Sequence, residues 1–114
     1  MPLATTLMLW YHAHQMIPAL REGRLPPGIH RATLQELRDR LGWGRKRKEL
    51  LDGLEKALRI MGSCGVERVY VDGGFVTDKP RPKDIDVCYD APENADLAAM
   101  YPIYPTTAIR VLSR

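Results

Sequence analysis

Asp84-Ile85-Asp86 places two carboxylates two residues apart, where the β-branched and aromatic content of Ile85–Tyr89 predicts a strand. Strand side chains alternate faces, so both carboxylates share one face, about 7 Å apart along the chain, while Ile85 and Val87 face the core. Two unit charges at that spacing repel by about 2–3 kcal/mol at an effective dielectric of 20. A divalent cation between them removes that cost. Mg²⁺, or Mn²⁺ in its place, suits such a pair, because it takes hard oxygen ligands and keeps positions open for phosphate.

Upstream, Val69 and Val71 lead a second strand, predicted over Val66–Val71, into Gly73-Gly74. Glycines after a strand let backbone N–H groups turn outward and approach an anion closely. A phosphate held by Gly73 and Gly74 could reach a cation on Asp84 and Asp86. The connection between the strands carries Lys79, Arg81 and Lys83, which either assist such a phosphate or simply keep a loop soluble. Strand, glycine turn, connection and D-x-D strand together suggest a site for a nucleoside triphosphate (NTP) and metal.

Two helices must position these strands. Thr33 and Glu36 have capping-box spacing, and Leu34, Leu37 and Leu41 recur at helical intervals until Gly42 and Gly44. A second helix is predicted from about Lys46 to Met61. Leu50, Leu51, Leu54, Ala57, Leu58 and Met61 form its apolar stripe, opposite Lys48, Asp52, Glu55, Lys56 and Arg59. The prolines and glycines of Met16–His30 predict an extended segment over the surface, with His30 bonded to backbone. A short late strand is expected at Ala108–Leu112. Met1–Gln15 reads as an N-terminal extension, or as a helix covering exposed surface, so that a single domain would occupy 16–114. The fold class expected is α/β (α+β), with two N-terminal helices followed by a small mixed β-sheet.

Val71–Val87 resembles the signature of the DNA polymerase beta-like nucleotidyltransferase superfamily: a Gly-Gly or Gly-Ser turn, a short connection, then Asp-x-Asp. More narrowly, the chain is similar over Met16–Asp90 to a group of short bacterial and phage proteins of that superfamily. Leu25-Pro26-Pro27-Gly28-Ile29-His30, Ala32-Thr33-Leu34, Asp72 through Lys79, and Asp84-Ile85-Asp86 carry the likeness. The resemblance implies a minimal nucleotidyltransferase core. Gly73 and Gly74 would hold the triphosphate, with Lys79 nearby, and Asp84 and Asp86 would bind Mg²⁺ and serve catalysis. The reaction implied moves a nucleoside monophosphate from NTP to a hydroxyl of RNA or protein. The superfamily supplies a third carboxylate from a later strand, whereas no Asp or Glu follows Asp96 here. Asp90, Glu93 and Asp96 are the remaining substitutes. The alternative is therefore a non-catalytic member acting by protein binding, as a toxin–antitoxin component or a phage-encoded inhibitor.

The length of 114 residues fits one domain, and no apolar run approaches the roughly 20 residues of a membrane-spanning helix. Leu3–Ala13 is apolar but has no basic residue before it and no small-residue cleavage site, so no secretion signal is expected. Cys64 and Cys88 lack metal or redox spacing and read as thiols in a reducing cytoplasm. The net charge of +3 is mild, but Arg45-Lys46-Arg47-Lys48 is compact enough to contact RNA or DNA phosphate, or else is a solvated helix start. Trp10, Tyr11, Trp43, Tyr101 and Tyr104 suit packing better than base stacking. His12 and His14 would share a face only on a strand.

Overall fold

Thr33 and Glu36 form the capping box that their spacing implies. Glu36 N–H donates to Thr33 Oγ1 at 3.1 Å, and Thr33 N–H donates to Glu36 Oε1 at 3.3 Å. They start helix α1, Leu34–Leu41, which buries Leu37 and Leu41. Gly44, at φ 79°, turns the chain into helix α2, Arg45–Ser63. α2 buries Leu50, Leu51, Leu54, Ala57 and Met61, the apolar stripe read from the sequence, with Leu58 half-buried beside it. Arg38 reaches across from α1 to Asp52 at 3.1 Å and Glu55 at 3.7 Å, so the two helices are joined at their solvent side as well.

The computed structural model describes residues 5–9, 17–91, 93, 98–99 and 109–113. Five strands form one mixed sheet: β1 Thr5–Leu9, β2 Gly28–Ala32, β3 Val69–Asp72, β4 Ile85–Tyr89 and β5 Ile109–Ser113. Their spatial order is β2-β1-β3-β4-β5. β1 runs parallel to β2 and antiparallel to β3; β3 and β4 are antiparallel, and β4 and β5 parallel. Leu7, Val71 and Val87 stand in register and join the buried helix residues in a single core. Met8, Tyr70 and Cys88 form the neighbouring row on the opposite face. The helices thus cover one face of the sheet and leave the other to the polar residues of β3 and β4.

The fold class is the mixed α/β arrangement expected, with two helices and a small mixed sheet. Two of its strands, however, come before the helices. Residues 1–15, read as an extension or a covering helix, supply β1, an interior strand whose Leu7 is fully buried. A five-residue run such as Thr5-Thr6-Leu7-Met8-Leu9 fits either period, and only its distant partners decide for strand. The extended segment before α1 likewise ends in β2, because Pro26-Pro27 stop short of the paired residues. Its earlier part lies across α1: Arg40 donates to the carbonyls of Ile17 at 2.6 Å and Pro18 at 3.3 Å. His30 Nε2 bonds the Pro26 carbonyl at 2.6 Å, as expected. β3 begins at Val69, later than Val66, and β5 is displaced by one residue from Ala108–Leu112. Trp10, Tyr11, His12, His14, Asp96, Tyr101 and Tyr104 lie outside the described residues.

Candidate functional site

β3 ends at Asp72 and delivers Gly73–Val76 as a single 3₁₀ turn. Gly73 has φ 81°, and a Cβ there would sit 2.5 Å from Asp86 Oδ2, so the backbone of the turn lies directly against the carboxylate. At Gly74 a Cβ would meet nothing nearer than Lys79 Cδ at 3.6 Å. The stem of Lys79 therefore lies beside the second glycine, while the residue as a whole is exposed. Thr77 joins the two ends of this path: its hydroxyl donates to the Gly74 carbonyl at 2.6 Å and accepts from Lys79 N–H at 3.1 Å. Gly73, Gly74, Lys79 and Asp86 are thus brought together.

Asp84 immediately precedes β4. Ile85 and Val87 are fully buried, whereas Asp84, Asp86 and Cys88 are half-buried, so the alternation expected of the D-x-D strand is present. Asp86 Oδ1 is shielded from solvent. Across the ladder, Asp72 is the register partner of Asp86, and Cys88 Sγ lies 3.9 Å from Asp72 Oδ2. Asp72 was not singled out from the sequence as a site residue, because only the antiparallel register sets it opposite Asp86. Among the described residues no group of three or more His, Cys, Asp or Glu side chains is arranged to hold a metal ion by itself. Two carboxylates do fit Mg²⁺, which is commonly held by one or two such groups plus phosphate oxygens and water.

Among the described residues, the substitutes for a third carboxylate lie elsewhere. Asp90 accepts a hydrogen bond from Tyr70 Oη at 2.9 Å, four residues along the chain from Asp86, or about 13 Å of strand. Glu93 is exposed beyond the end of β4. On β5, the late strand, the residue in register with Asp86 is Arg110.

The basic run proposed for nucleic acid is divided by the fold. Arg45 is exposed but paired with Glu49 at 3.2 Å; Lys46 is half-buried and Lys48 exposed. Arg47 is fully buried and cannot meet phosphate at the surface. It sits one helical turn from Leu50 and Leu51 on the inward face of α2, so helical phase turns it into the core. Burial lowers its pKa from the usual arginine value, opposed by the negative charge of Asp78. An arginine inside a four-residue basic run carries no sequence signal for burial. The other basic candidates of the connecting loop, Arg81 and Lys83, are exposed.

The glycine turn gives an asymmetric expectation. Gly73→Ala will destabilise the chain by about 2 kcal/mol or more, since an L side chain at positive φ is strained and its Cβ displaces Asp86. Gly74→Ser, which has room, will stay within about 0.5 kcal/mol of wild type. Urea melts of both variants check this, and equal losses would mean that the turn is not packed against Asp86.

Residues 18–109 match the family DUF6932, described as a family of unknown function; the match begins after β1 and reaches the first residue of β5. Neither the curated proteins nor the solved structures contain a match. No helix among the described residues is long and apolar enough to cross a membrane. With the greater part of its length matched, the chain belongs to the DUF6932 family.

Proposed function

We propose that the chain binds a nucleoside triphosphate with Mg²⁺ or Mn²⁺ and transfers its nucleotide to a hydroxyl of RNA or protein, in a reducing compartment such as the cytoplasm. The observation that carries this reading is the contact between turn and carboxylate, where Gly73 leaves room for no side chain against Asp86. A phosphate approaching the turn would meet backbone and the neighbouring Lys79, with Asp86 on the adjoining strand and Asp84 just before it. The divalent cation would neutralise phosphate charge and favour in-line attack at the α-phosphorus. The acceptor oxygen would form the new bond to phosphorus, pyrophosphate would leave, and the hydroxyl proton would pass to solvent. Lys79, whose stem lies beside Gly74, would balance charge on the leaving pyrophosphate. Asp84 and Asp86 would hold the cation.

Arg110 in register with Asp86 favours a second reading, a non-catalytic member that acts through a protein partner, such as a toxin–antitoxin component or a phage-encoded inhibitor. A missing general base costs about 10²–10⁴-fold in rate, so turnover by the isolated chain will be slow. Labelled NTPs with Mg²⁺ and either total RNA or lysate protein separate the two readings. Transfer reading: metal-dependent label on RNA or protein, lost in Asp86→Ala. Non-catalytic reading: no label from wild type, and capture of one partner that survives Asp86→Ala.

A further inference from the structure

Arg47 spends its whole guanidinium on the backbone. Nε donates to the Lys79 carbonyl at 3.0 Å, Nη1 to Leu41 at 3.1 Å and Phe75 at 2.8 Å, and Nη2 to Thr77 at 2.6 Å and Lys79 at 2.8 Å. These five bonds match the five N–H donors of an arginine, and every acceptor is a main-chain carbonyl. The guanidinium carbon also lies over two rings, 3.9 Å from the centroid of Trp43 and 4.9 Å from that of Phe75. A lysine offers neither the fork nor the flat face.

Three of the four carbonyl-bearing residues, Phe75, Thr77 and Lys79, belong to the path leading from the glycine turn to Lys79. Drawing their oxygens towards a fully buried cation takes the negative ends of those peptides away from the exposed side. The same path is held from its other flank, where Asp78 N–H donates to the Gly23 carbonyl at 2.9 Å and Arg24 bridges to Thr77. The loop thus runs between a turn, Arg21–Arg24, and a buried arginine at the start of α2.

We propose that Arg47 is a positioning residue for the phosphate site: it fixes the course of residues 75–79, and with it the placement of Lys79 beside Gly74, so that the loop is ordered before a phosphate chain arrives. This inference rests on the nucleotide reading of the site, but its geometric part stands apart from it. Arg47 touches no ligand; it acts through the loop. The cost of ordering the loop is then met in folding rather than on binding.

Hydrogen exchange and calorimetry with ATP and Mg²⁺, on the full chain, test this with three variants. Arg47→Lys keeps charge but loses the fork. In it, exchange of the amides of 75–79 will rise at least about tenfold while α2 stays protected, and the ATP dissociation constant will rise by a similar factor. Leu54→Ala, a core cavity far from the loop in sequence, is the control for general destabilisation: it will lower Tm yet leave loop exchange and ATP affinity near wild type. Trp43→Ala removes one of the two ring contacts of the guanidinium at a residue already 38% exposed, and will give the same loop effects at smaller size should Arg47→Lys not fold. Wild-type loop exchange in both Arg47→Lys and Trp43→Ala, or equal loop effects in Leu54→Ala, would overturn the inference. A wild-type chain that binds no ATP would instead overturn the nucleotide reading, and the exchange results would still decide the role of Arg47 in the loop.

Discussion

Deleting residues 1–9 will leave a chain that does not fold cooperatively. β1 lies between β2 and β3, paired over five positions with the first and from Leu7 and Met8 with the second. Its loss would strip β2 of the neighbour it pairs with and turn β3 into an open edge. Each backbone hydrogen bond is worth about 0.5–1.5 kcal/mol net, and removing a fully buried leucine such as Leu7 costs about 2–5 kcal/mol more. Together these reach the whole stability of a typical domain, about 5–15 kcal/mol. Far-ultraviolet circular dichroism and a thermal scan check it. A deletion variant that keeps a cooperative melt near the wild-type Tm would show that β1 is dispensable, as an extension would be. The milder Leu7→Ala should lose several degrees of Tm while remaining folded, because it leaves the backbone pairing in place.

Features whose causes are local were legible in the sequence. Thr33 and Glu36 cap α1 because the capping partners are three residues apart. The stripe from Leu50 to Met61 shows α2, since helical period needs no distant partner. Ile85–Tyr89 alternates cleanly and is β4. What could not be read depends on pairing across the chain. The run that became β1 has no alternation of its own and is a strand because β2 and β3 flank it. Asp72 becomes a neighbour of Asp86 only through the β3–β4 register. Arg47 looks like one of four surface cations until the carbonyls of Leu41, Phe75, Thr77 and Lys79, up to 32 residues away, are brought around it. The D-x-D pair and the glycine turn were visible individually, but their contact through Gly73 was not.

Replacing Asp84 and Asp86 together by asparagine will abolish metal-dependent nucleotide binding without unfolding the chain. Asparagine keeps the size and a carbonyl oxygen at each position but removes both charges, and a hard divalent cation loses most of its attraction to the site. Asp72 stands opposite Asp86 across the ladder, and like charges directly opposite one another are destabilising, so removing the Asp86 charge in the absence of metal will leave Tm unchanged or higher. That direction separates loss of binding from loss of structure. The direct measurement is calorimetric titration of ATP into wild type and the double variant, each with Mg²⁺ and with EDTA. A nucleotide and metal site will give saturable heat for wild type with Mg²⁺, with affinity weakened at least about a hundredfold by EDTA or by the two substitutions, a difference of about 2.7 kcal/mol. Equal heats in wild type and the double variant, whether large or negligible, would contradict a nucleotide and metal site at Gly73, Gly74, Asp84 and Asp86.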